Sequence, residues 1–92
     1  MVTSIVLMNV ERGRVQEVAE TLAAIPGVSE VYSVGGRYDL VALLRVKVNE
    51  DLADLVTHQI STVEGILQTE TLIAFRAYSR HDLEAMFSLG ME

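Results

Sequence analysis

The residues best equipped for chemistry collect in two short places. Ser33-Val34-Gly35-Gly36-Arg37-Tyr38-Asp39 sets a guanidinium, a phenol and a carboxylate directly after two glycines, and Thr69 and Thr71 stand two residues apart in a later apolar run. Asp39 is the carboxylate best placed to meet an amino group. Backbone N–H groups at Gly35 and Gly36 can receive a carboxylate, so one short loop can hold both ends of an amino acid. Arg37 and Tyr38 complete that tip, with Tyr38 placed to cover a ligand. Thr69 and Thr71 fall on one face of a strand, and two hydroxyls in line are a common carboxylate clamp. Each reading has a plainer rival. Asp39 can cap its own turn, Tyr38 can be a half-buried strand tyrosine, and threonine suits strands for its shape alone.

Other chemistries are poorly supplied. The chain has no cysteine, which removes disulfides, thiolate metal sites and a cysteine nucleophile. His58 lies beside a helical apolar stripe without a metal-spaced partner, and His81 is far away near the tail, so neither a metal nor a cofactor is expected. Ser4, Ser33 and Ser79 lack a base-and-orienter pattern, and nucleophilic catalysis has no visible support. The formal charge of −6 withholds the basic patch that duplex DNA requires. No apolar run approaches the roughly 18 residues of a membrane span. The opening Ile5-Val6-Leu7-Met8 is short, lacks a basic flank and runs into Glu11 and Arg12, unlike a signal peptide. A non-enzymatic, cytosolic protein without direct nucleic-acid or membrane contact is the expectation.

The elements that position these residues follow from periodicity. Val2 to Val10 reads as a strand apolar on both faces, with Val2, Val6, Met8 and Val10 opposite Ile5 and Leu7. Arg14 to Ala24 switches to helical spacing through Val15, Val18, Ala19 and Leu22. Ile25-Pro26-Gly27 ends that helix. Val28 to Val34 is a mixed, edge-like strand; the glycine pair then turns the chain tightly into Leu40 to Val48, another strand apolar on both faces. Asn49 is the expected N-cap of a second helix bearing Leu52, Leu55, Val56, Ile60 and Val63, and Glu64-Gly65 closes it. Ile66 to Tyr78 is the last strand. Residues 80–89 could add a short helix, and Met86, Phe87, Leu89 and Met91 suit an interface tail.

Ile25-Pro26-Gly27-Val28 and Val63-Glu64-Gly65-Ile66 repeat at an offset of 38 residues. Each half is strand, helix, strand. The predicted fold is a single α+β domain over 1–92: a ferredoxin-like βαββαβ sandwich, with a four-stranded antiparallel sheet and both helices on one face. Strands one and three lie in the middle. Because both are apolar on two sides and the helices cover one, the other is expected to pack sheet-to-sheet in a dimer. A mean hydropathy of +0.32 in a chain of only 92 residues points the same way.

Val10-Glu11-Arg12-Gly13, Ile25-Pro26-Gly27-Val28, Gly36-Arg37-Tyr38-Asp39 and Thr69-Glu70-Thr71-Leu72-Ile73, in this order and spacing, resemble the effector-binding domain of the leucine-responsive regulatory protein/AsnC family. That domain is known as the regulation-of-amino-acid-metabolism (RAM) domain. The resemblance implies dimers joined into a ring, often an octamer built as a tetramer of dimers, with amino-acid effectors where dimers meet. It also implies a possible full-length regulator as partner. The family's helix-turn-helix half has no counterpart before the first strand, so a stand-alone form is expected, and Gly35 stands where the family often has a threonine. Two rivals share the topology. A dimeric α+β barrel enzyme of the monooxygenase or isomerase kind needs a deep apolar cavity between helices and sheet, and an ACT-type domain would bind amino acids at Glu11-Arg12-Gly13.

Overall fold

The computed structural model describes residues 1–78 and 80. Strand β1 (Val2–Val10), helix α1 (Val15–Ala23), strands β2 (Val28–Ser33) and β3 (Leu40–Val46), helix α2 (Asn49–Asp54) and strand β4 (Ile66–Ala74) follow one another as βαββαβ. The antiparallel sheet runs β2-β3-β1-β4, so the two doubly apolar strands are central and the mixed β2 is an edge.

Alternation sorts β1 and β3 into two faces. Ser4↔Leu44, Val6↔Ala42 and Met8↔Leu40 are paired, and all six are buried beneath the helices with Val18, Leu22, Leu52, Leu55 and Ile60. Ser4 is satisfied there, its hydroxyl donating to the Leu72 carbonyl at 2.7 Å. The opposite face carries Ile5↔Leu43 and Leu7↔Val41, flanked by Leu72 of β4 and Tyr32 of β2, and among the described residues neither α1 nor the α2 segment covers it.

The second helix is less regular than its stripe suggests. After α2 the backbone widens into a π turn over Leu55–Gln59 and tightens into a 3₁₀ turn over Ile60–Thr62. In an unbroken α-helix Gln59, four residues beyond the buried Leu55, would point at the core. The wide turn accommodates one more residue, so Gln59 stays exposed and Ile60 is buried.

Several expected boundaries move. Asn49 is not an N-cap: Val48 is the extended residue before the helix, its carbonyl accepts Leu52 N–H at 3.3 Å, and no side chain caps the end. β4 stops at Ala74 rather than Tyr78 because Ala74 already pairs with Thr3, near the start of β1, leaving almost no partner strand beyond. The β2–β3 connection is also wider than a tight glycine turn. Residues 34–39 are closed by Val34 N–H on the Asp39 carbonyl at 3.0 Å, and of the glycine pair only Gly36 takes positive φ. Apart from Arg80, the expected helix over 80–89 and the tail residues Met86, Phe87, Leu89 and Met91 lie outside the described residues.

The internal repeat has a packing counterpart. Gly27 and Gly65 both have positive φ, and each lies against the other half's helical segment. A Cβ on Gly27 would stand 2.9 Å from Leu55 Cδ2, and one on Gly65 would stand 2.9 Å from Val18 Cγ2. Gly27→Ala and Gly65→Ala should each cost about 1–3 kcal/mol in urea unfolding, combining backbone strain with crowding. Gly35→Ala, with nothing within 4 Å and an ordinary φ, should change stability by less than about 0.5 kcal/mol.

Candidate functional site

The hairpin tip is stitched to the end of β1. Asp39 N–H donates to the Met8 carbonyl at 2.8 Å, and Asp39 Oδ2 accepts Val10 N–H at 2.8 Å. Asn9 Nδ2 donates to the Arg37 carbonyl at 2.7 Å. Residues 37–39 are thereby held against 8–10 by side chain and backbone together. A backbone fixed this way can orient a binding loop without help from a ligand.

From that tip Tyr38 reaches across to the last strand, where its hydroxyl donates to the Glu70 carboxylate. The Arg37 guanidinium sits 5.9 Å from the centre of the Tyr38 ring, within cation–π range. On β4 the register with β1 slips between Asn9 and Val10: Asn9 pairs with Gln68 and Val10 with Ile66, so Leu67 is an extra residue. Such a bulge re-aims neighbouring side chains. Between tip and bulged strand lies a cleft of about 400 Å³ lined by Asn9, Arg37, Tyr38, Gln68, Thr69 and Glu70. This volume suits a small ligand.

The anticipated site residues therefore divide. Arg37, Tyr38 and Thr69 meet at the cleft, whereas Gly35, Gly36 and Asp39 are not among its lining. One Asp39 oxygen is engaged in fastening the tip, but to the backbone of β1 at Val10 and not to its own turn. Thr69 and Thr71 do share a face of β4, opposite Met8 and Val6. Thr71, however, borders a different depression, an apolar groove of about 600 Å³ whose walls include Leu52, Val56, Ile73 and Phe75. Periodicity passed over Asn9, Gln68 and Glu70, which enter the site only through the pairing of β1 with β4. The one local signal was Asn9, the lone amide in an apolar strand. Among the described residues no cluster of three or more His, Asp or Glu is arranged to hold a metal ion.

The hydrogen bond to Glu70, then desolvation, hold the Tyr38 phenol above the usual tyrosine range. A raised folded value means the neutral phenol is favoured in the native state. Its contribution is complete below about pH 10 and disappears as pH rises through the raised value. In a Tyr32→Phe, Tyr78→Phe background, where Tyr38 is the only titrating phenol, Glu70→Gln should move its alkaline absorbance transition down toward about pH 10. An unchanged midpoint would mean that Glu70 does not hold the hydroxyl.

The Lrp/AsnC ligand binding domain family model matches residues 3–83. The HTH-type transcriptional regulator FL11 of Pyrococcus furiosus is 31% identical over 77 residues, which is 84% of this chain and 50% of that protein. An uncharacterised HTH-type regulator of Pyrococcus horikoshii, PH1916, is 38% identical over 60 residues, 65% of this chain and 40% of its own length. The chain thus spans half or less of these curated relatives. Among solved structures, TTHA0845 from Thermus thermophilus superposes with a TM-score of 0.80 at 54% identity, covering 87% of this chain and 100% of that one. Four strands in the order β2-β3-β1-β4, two helical segments on one face and a family match over nearly the whole sequence agree, and the chain belongs to the Lrp/AsnC ligand-binding-domain family.

Proposed function

We propose that this domain is an amino-acid sensor that works by self-association, serving Lrp/AsnC-type transcriptional regulation. The observation carrying the proposal is the face of the sheet that no described helix covers. Ile5, Leu7, Val41, Leu43 and Leu72 form a continuous apolar centre there. Around it stand Asn9, Glu30, Tyr32, Arg45, Gln68 and Glu70, which share that face by register. An apolar middle with a polar rim is the anatomy of a protein interface. Burying even about 600 Å² of it would contribute on the order of 15 kcal/mol before the costs of association. Two copies stack through this face, and four such dimers close a ring.

In this reading the amino acid binds at the cleft between tip and β4, at the edge of the sheet, where neighbouring dimers approach. Arg37 takes its carboxylate and Glu70 its ammonium group. A ligand held between dimers favours the assembly that completes its site, which is linkage and needs no catalytic step. A full-length regulator of the same family is the natural partner to receive that signal. The enzyme alternative is not favoured: Val6, Met8, Leu22, Leu40, Leu44 and Ile60, each at most 1% exposed, fill the centre between helices and sheet, and the apolar groove beside Leu52 and Ile73 lies at its margin. The ACT-type alternative is disfavoured by the family match.

Light scattering after size exclusion should return a dimer or a multiple of it, and Leu7→Glu should dissociate the stacked faces without unfolding the chain. A monomeric native chain at high concentration would overturn the self-association half. For the effector half, an amino acid at 100 times its dissociation constant should stabilise the fold by ~2.7 kcal/mol. No thermal shift with any of the twenty would overturn it.

A further inference from the structure

Building on the amino-acid reading of this site, we infer that the effector carries a neutral polar side chain, a carboxamide first and a hydroxyl second, read by Gln68 and Asn9. No aliphatic residue lines the cleft: Asn9, Arg37, Gln68, Thr69 and Glu70 are polar, and Tyr38 joins an aromatic ring to a hydroxyl. The two opposite charges, Arg37 and Glu70, match the two charged ends every amino acid has. What remains for the side chain is Asn9, Gln68, Thr69 and Tyr38, and the Tyr38 hydroxyl is already engaged on Glu70.

Asn9 and Gln68 are direct partners across the β1–β4 ladder at the bulge. The Asn9 amide nitrogen already donates to the Arg37 carbonyl, which leaves its oxygen as an acceptor. The exposed Gln68 amide supplies both a donor and an acceptor. A carboxamide presents the complementary pair, and a hydroxyl presents it in smaller form. A branched aliphatic side chain would instead strip water from these amides and return no hydrogen bond, a penalty that sites built from polar groups use for discrimination.

The structure also supplies the contrasting environment. The helix-side groove is walled by Leu52, Val56, Ile73 and Phe75, with Phe75 fully exposed. An aliphatic effector would find its hydrophobic burial there and not at the tip.

Calorimetric titration of the full chain with each of the twenty amino acids separates the cases, the decisive comparison being glutamine, asparagine, serine and threonine against the aliphatic and charged ones. The carboxamide amino acids should bind at least about tenfold more tightly than the aliphatic ones, the factor expected from one or two hydrogen bonds. Gln68→Leu should weaken glutamine binding by a similar factor, and Phe75→Ser, in the apolar groove, should leave it unchanged. Aliphatic or charged amino acids binding equally well, or Gln68→Leu without effect, would overturn this side-chain assignment while the sensor reading stands. Silence with all twenty amino acids would instead remove the sensor reading beneath it.

Discussion

The antiparallel register of β1 on β3, from Val2↔Val46 to Met8↔Leu40, is the constraint on which the rest of the molecule depends. Because side chains alternate at a period of two, this register sends Val6, Met8, Leu40, Ala42 and Leu44 to one side together, and Ile5, Leu7, Val41 and Leu43 to the other. A slip of one residue would exchange the sets. The first set is sealed by α1 and the α2 segment. The second is as apolar, and among the described residues neither of these segments lies over it.

Connections that serve the helices also align the two halves. Glu11 N–H donates to the Gly65 carbonyl at 2.8 Å, and Arg45 N–H to the Gly27 carbonyl at 2.9 Å, tying each helix-to-strand loop to the sheet. Arg14 holds Glu17 through two nitrogens, at 3.1 and 3.0 Å, and approaches Glu11 and Glu64. These are exposed ion pairs, each worth little by itself. The close approach at Gly27 and Gly65 matters more, since it lets each loop sit against the opposite helical segment.

The same strand pairing makes the cleft. Holding the tip on β1 through Asp39 and Asn9, and letting β4 bulge opposite Asn9, brings Arg37 and Tyr38 over Gln68, Thr69 and Glu70. Positions some thirty residues apart in sequence become one polar pocket. The chemistry is sparse, but the backbone beneath it is well fixed.

Hydrophobic periodicity and two glycine-terminated helix ends were enough to read the βαββαβ order, the central strands and the uncovered face from the sequence, because alternation and helical spacing are local properties of the chain. The hairpin tip was legible for the same reason, as a glycine pair beside Arg37, Tyr38 and Asp39. The wide turn that buries Ile60 in place of Gln59, the early end of β4 and the separation of Thr69 from Thr71 were settled only by tertiary packing. So was the entry of Asn9, Gln68 and Glu70 into the cleft. Each depends on which strand lies alongside and where that partner ends, and no window of sequence along one element contains that information.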